Sequence, residues 1–169
     1  MNLQQISTAT TSGSAQSISV TGINTDDVYM VAYTNIVPES HVRLRIRVTK
    51  SGSEDSTSNY DNARKGIRAG GSFQTNRDVD DGKWLMATLD ADVGSGGSGI
   101  IYCYNFNSSS EFSYVTFNLP MWASTPQFFA DVGGGVHTVA SASDGISLSA
   151  DGSVNFRAGG IVTLYKVLG

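Results

Sequence analysis

Residues 42–48 read Val-Arg-Leu-Arg-Ile-Arg-Val, and only a β-strand satisfies that alternation. Successive side chains on a strand point to opposite faces of the sheet. Val42, Leu44, Ile46 and Val48 are therefore assigned to a core. His41, Arg43, Arg45 and Arg47 form a cationic row on the other side. The preceding run, Val28 to Ile36, is longer and more continuously apolar, and together the two segments predict a half-buried antiparallel sheet with one charged face.

The rest of the chain repeats this grammar. No window carries apolar residues at i, i+3, i+4 and i+7 for three turns, so helices are not expected. Strands are predicted at Ile18–Val20, Asn59–Lys65, Lys83–Leu89, Ile100–Phe106, Phe112–Leu119, Phe128–Val132, Val136–Ala140, Ile146–Ala150, Ser153–Arg157 and Gly160–Val167. Residues 1–16 are rich in Ser, Thr and Gln around isolated Leu3 and Ile6, and read as an N-terminal arm or an edge strand. The stretch Ala69–Gly82 reads as irregular, Pro120–Phe129 as an aromatic connection, and Gly133-Gly134-Gly135 as a break between strands. Asp151-Gly152 lies between two alternating runs and predicts a tight hairpin. The 19 glycines suit the many turns this requires. Counting gives about 10–12 short strands spaced by about 8–12 residues, the pattern of an all-β antiparallel sandwich of jelly-roll type. With 169 residues, residues 17–169 are expected to form one such domain.

Charge and chemistry narrow the function. The net charge is −4, which disfavours nucleic acid as a partner. No apolar segment approaches the roughly 20 residues that span a bilayer as a helix, so no membrane partner is expected. The first residues lack a basic region followed by an apolar stretch, so no secretory signal is read there. Cys103 is alone and reads as a small core residue, which fits synthesis in a cytoplasm. His41 and His137 have no nucleophile motif beside them, and one Cys with two distant His cannot build a zinc site. The chain is read as non-enzymatic, with no cofactor and no metal. Asp78-Val79-Asp80-Asp81-Gly82 and Asp90-Ala91-Asp92 could in principle hold calcium, but solvated turns explain them more simply.

Two surfaces remain as interface candidates. The arginine row is either a solvent face compensated by nearby Asp and Glu, which is the preferred explanation, or a contact between subunits, or a docking surface. Met121 and Trp122, with Phe128 and Phe129, form either a satellite core under a loop or an interface anchor.

Several segments, in order, resemble a family of small virion proteins of tailed bacteriophages, common among phages of marine and aquatic bacteria. The carrying residues are Thr21-Gly22-Ile23 with Asp26-Asp27-Val28-Tyr29-Met30, Asn35-Ile36-Val37-Pro38, and Leu44 to Gly52. Further on come Ser58-Asn59-Tyr60-Asp61, Ile100 to Ser110, and Ile161-Val162-Thr163-Leu164-Tyr165. Lys166 stands where members close on a small residue. The resemblance implies a capsid decoration (cement) protein, trimeric, bound outside the head to the major capsid protein and located in the virion. Within the same family a tail-fibre or receptor-binding tip is the alternative. In the decoration role Leu3 and Ile6 would add as a strand to a shell edge. A carbohydrate-binding module using Trp84, Tyr102 and Tyr104 is a third reading.

Overall fold

The computed structural model describes residues 2–71, 73–92, 94, 96–123 and 127–169. Among them are thirteen strands and no helix. In chain order they are β1 (Asn2–Thr10), β2 (Ser17–Thr21), β3 (Tyr29–Ile36), β4 (Val42–Lys50), β5 (Ser53–Glu54), β6 (Tyr60–Arg68) and β7 (Gln74–Asp81). β8 (Trp84–Leu89), β9 (Gly97–Tyr104), β10 (Ser113–Ala123), β11 (Gln127–His137), β12 (Gly145–Ala150) and β13 (Ile161–Leu168) follow.

They form two antiparallel sheets. The larger has eight strands in the order β1-β13-β3-β9-β10-β11-β6-β7, and the smaller runs β2-β12-β4, with β5 and β8 sharing the far edge of β4. Setting aside β5, β6, β7, β10 and β11 leaves β1-β13-β3-β9 facing β2-β12-β4-β8. That interleaving of early and late strands is the jelly-roll order. Of the strands set aside, β10, β11, β6 and β7 extend the larger sheet sideways, and β5 pairs with the end of β4 in the smaller one. The expected all-β antiparallel sandwich is therefore the fold.

Alternation builds the core. Tyr29, Val31 and Tyr33 of β3, Ile101 and Cys103 of β9, and Val162 and Leu164 of β13 meet Leu44, Ile46 and Val48 of β4 and Trp84 and Met86 of β8. β3 and β4 do not pair as the sequence suggested. They lie in opposite sheets and face each other across the core, because the connection at Pro38, bridged to Phe156, carries the chain from one layer to the other.

Four further expectations are corrected. Gln74–Asp81, expected to be irregular, is a strand, since pairing to β6 from Tyr60 to Gly66 holds a polar sequence at the sheet edge. The aromatic stretch from Pro120 is not a loop: β10 continues to Ala123 and β11 starts at Gln127, with Trp122 opposite Phe128. Residues 124–126 lie outside the described residues. The three glycines do not break a strand but allow one, running to His137. A Cβ on Gly133 would collide with the Ala63 carbonyl, and one on Gly135 would sit 2.7 Å from the Trp84 indole nitrogen. Asp151-Gly152 does turn, with Gly152 at φ 82°, yet it joins no hairpin. β12 and β13 belong to different sheets, and Ser153–Arg157 supplies only the bridge at Phe156.

Candidate interaction surface

The two sheets present outer faces of opposite character. On the smaller sheet the arginine row of β4 is half-buried and locally compensated. Arg47 pairs with Glu54 at 2.9 Å and donates to the Gly82 carbonyl, while Arg45 donates to the Ser149 hydroxyl at 2.8 Å and lies 3.9 Å from Glu54. Glu54 also accepts from Ser147. Ser147 and Ser149 of β12 are fully buried, so the side chains around Glu54 roof the central strand. Burial raises the Glu54 carboxyl, but Ser147, Arg47 and Arg45 outweigh it and hold the group below its ordinary value. His41 stands apart, exposed in the bend before β4. Arg43 also leaves the row: β8 carries a bulge opposite Arg43 and Arg45, and Arg43 lines a cleft with Arg64 and Arg68 instead of pairing with Glu54.

The outer face of the larger sheet carries no such compensation because it carries almost no charge. Outward positions alternate with the core set and follow from register. They are Tyr165 and Thr163 on β13, Met30 and Ala32 on β3, Ile100 and Tyr102 on β9, Thr116 and Asn118 on β10, and Val132 and Gly134 on β11. Ile161, Thr34, Tyr104, Tyr114, Pro120, Trp122, Phe128 and Val136 extend these rows. Among the described residues, none of the outward side chains of these five adjacent strands is ionisable as Asp, Glu, Lys, Arg or His. Ile100, Tyr114, Trp122, Phe128 and Ile161 are large apolar groups left exposed there. An open groove of about 400 Å³ crosses the face around Ile100 and Pro120, and one of about 490 Å³ marks its border, where Tyr114 and Val136 meet Asp61, Arg77 and Asp78 of β6 and β7. Strands ~4.8 Å apart with rows of four to five outward residues give it roughly 600–800 Å². The largest apolar patch of an ordinary monomer is about 300–600 Å².

The uncharged face runs on to β1, whose outer edge ends the sheet. β1 has no charged residue, no proline and one bulge, between Gln5 and Ser7. The opposite edge, β7, carries Arg77, Asp78, Asp80 and Asp81. Charge is the usual protection of an open edge against pairing. Only one edge has it.

These placements divide the residues singled out in sequence. Residues 2–10 form the edge strand β1. Leu3 is exposed opposite Val167, whereas Ile6 packs against the core beside Gly22. Met121 is core and its neighbour Trp122 is 49% exposed, because adjacent strand positions face opposite ways. Trp84 is fully buried, edge-on to Tyr60 with its indole donating to the Val136 carbonyl, so it cannot stack on a sugar. Tyr102 and Tyr104 lie on the uncharged face. The uncharged character of that face was missed in sequence, although the absence of charge from β9, β10 and β3 was there to be read.

Chemistry elsewhere is closed in. His137 lies 3.4 Å from Asp55 and opposite Ser113 in register, but His137 and Ser113 are fully buried. Burial holds His137 below its ordinary pKa against the pull of Asp55. In the acidic segments, Asp78 binds Arg64, Asp81 binds Lys83 and Asp90 accepts from the amide of Ala91. No group of three or more His, Cys, Asp or Glu among the described residues is arranged to hold a metal. No family model, no curated protein and no solved structure matches this chain.

Proposed function

We propose that this chain is a non-catalytic virion structural protein of a tailed phage, of the capsid decoration type. It associates with copies of itself as a trimer and binds the outside of the shell formed by the major capsid protein. The observation that carries the reading is the uncharged outer face of the larger sheet. Charge depletion with Tyr, Trp, Phe and Met enrichment marks the centre of a protein interface. A face of roughly 600–800 Å² matches the ~800 Å² per partner of a standard interface. A surface without charge best complements another without charge, and in a trimer, whose contacts are heterologous, one part of this face meets a different part of the same face on the next copy. The resemblance of the strand and turn segments to phage virion proteins supports the virion assignment. The open, uncharged edge of β1 offers main-chain hydrogen bonds to a shell subunit. Binding that occurs only on the assembled shell stabilises it over its parts by mass action.

Ile100 stands near the middle of the face and outside the core, so Ile100→Glu leaves the fold intact. Burying its unpaired carboxylate costs several kcal/mol, which at ~1.4 kcal/mol per decade weakens association at least a hundredfold. Light scattering after gel filtration should show the native chain as an oligomer and the variant as a monomer. Stripped particles should release their genome at lower temperature and recover on adding the native chain. A native chain that remains monomeric at high concentration, or release unaffected by stripping, refutes the proposal.

One feature favours a second reading, recognition of the host surface. Trp122 and Phe128 are exposed as a cross-strand aromatic pair at the end of β10 and β11, a platform suited to stacking on sugars. Binding to host cells without affinity for shells would establish it.

A further inference from the structure

Beyond β8, the edge of the smaller sheet, the inner face of β11, β6 and β7 changes from apolar to polar, and a cleft of about 180 Å³ opens there. Three guanidinium groups line it: Arg43 from β4, and Arg64 and Arg68 from β6. The charge of Arg64 is already matched. Its Nη1 meets Asp78 at 3.0 Å, the Asn62 side chain and the Leu85 carbonyl, and its Nε lies 3.3 Å from Asp131. Neither of the other two has a carboxylate of a described residue at ion-pair distance, although Arg68 acts on Asp131 from farther away. Arg68 lies over the Phe129 ring at 4.4 Å and gives one Nη2 bond to Gln74, while its Nε is buried without a hydrogen-bond partner. Arg43 makes no side-chain hydrogen bond or ion pair with another described residue. Asp131 is the one carboxylate in the wall, and it is committed to Arg64.

A concave site with surplus guanidinium donors and a buried orphan N–H is short of an acceptor. We propose that this cleft binds one oxyanion group of a small molecule, held between Arg43 and Arg68. The planar guanidinium fork fits the two oxygens of a carboxylate, sulfate or phosphate group. Gln74, Asn76 and Thr88 complete the wall with neutral polar groups. The Phe129 ring beside Arg68 gives an apolar surface for a small organic body attached to that group. The volume holds about six waters at ~30 Å³ each, enough for the oxyanion, and the open mouth lets an attached body project toward solvent. This site lies on the inner side of the sheet, independent of the outer face, so either assignment stands without the other.

The test is calorimetric titration of the full chain with sulfate, phosphate, acetate and glucuronate, with ionic strength held constant by sodium chloride. Saturable one-to-one binding of at least one anion is expected. Loss of a charge-assisted contact in Arg43→Gln should weaken it about tenfold or more. Arg45→Gln, on the same strand but outside the cleft, should bind as the native chain does. Sulfate or phosphate binding without glucuronate binding identifies an inorganic oxyanion, and glucuronate binding tighter than acetate identifies the carboxylate of an acidic sugar. Absence of saturable binding for all four anions overturns the proposal. So does binding that both Arg43→Gln and Arg68→Gln leave unchanged.

Discussion

Arg64 and Asp131 are each 4% exposed and meet through Nε and Oδ2 at 3.3 Å. Their removal should be strongly asymmetric. In Asp131→Ala, Arg64 keeps Asp78, Asn62 and the Leu85 carbonyl, so its charge stays paired. The expected cost is about 1–2 kcal/mol, near that of one charged hydrogen bond. In Arg64→Met, Asp131 loses the only cation at ion-pair distance among the described residues, and Asn62 and Leu85 each lose a donor. Breaking a buried pair from this side costs about 3–5 kcal/mol, a large part of the roughly 5–15 kcal/mol that holds a domain together. The penalty must also depend on pH. Burial already raises the Asp131 carboxyl above its ordinary value, opposed by Arg64 and Arg68. Without Arg64 it rises further. A carboxyl with a raised folded pKa costs nothing while protonated in both states and loses stability as pH climbs past the unfolded value of ~3.9. Arg64→Met should therefore be more damaging at neutral pH than in mild acid, and the double variant Arg64→Met with Asp131→Leu should recover part of the loss. Urea titrations followed by circular dichroism measure all four chains. An Arg64→Met penalty no larger than that of Asp131→Ala at neutral pH, or one independent of pH, refutes this account of the pair.

Two further outcomes follow from the interior. His137 is held neutral by burial, so the unfolded chain takes up a proton first and stability falls as pH drops below ~6.5. Asp55 faces it. Burial raises this carboxyl, but the Lys50 ammonium and the Thr57 hydroxyl and amide outweigh it and pull it well below the ordinary range. Its contribution is therefore present above ~3.9 and lost only in stronger acid. Melting temperature against pH should show both stages, and His137→Gln should flatten the upper one alone. At Gly133 a Cβ would press on the Ala63 carbonyl and lie 2.8 Å from the Arg64 Cα, so Gly133→Ala should cost about 2 kcal/mol or more by overpacking against backbone. Gly71→Ala, with open space around it, should change the urea midpoint little.

Legibility in the sequence followed solvent contrast. β4 was readable residue by residue because one side is core and the other wet, which is the condition for clean alternation. β7 was not, because Gln74 to Asp81 is a polar edge held by its partner rather than by its own apolar face. The Gly133–Gly135 run reads as a break because glycine is conformationally free, whereas in the fold it is required by the closeness of β6 and Trp84. Pro120 opens the stretch that reads in sequence as an aromatic connection. It is tolerated because β10 pairs with β9 only as far as Asn118, so beyond that point one side of β10 is locally an edge. Asp151-Gly152 correctly marked a turn, but a local signal does not say which sheet receives the next strand.

The candidate surface was hidden for a related reason. Val28 to Ile36 reads as continuously apolar, and so does Ile100 to Tyr104. Such runs mean that both faces of a strand are kept from water. In a two-layer sandwich only one face has the other sheet over it. β4 resolves the excess by carrying arginine outward, with Glu54 and two serines beside it. β3 and β9 do not resolve it: Val31 and Ile101 enter the core, yet Met30, Ala32, Ile100 and Tyr102 on the reverse side are apolar or aromatic as well. A strand that is apolar on both sides, in a fold whose second sheet covers one, leaves Ile100 exposed on the other, although Met30 on the same face is buried by its own neighbours. Under the proposed self-association this face is where copies meet, so a single charge at Ile100 should block assembly while leaving the core, and hence the fold, intact.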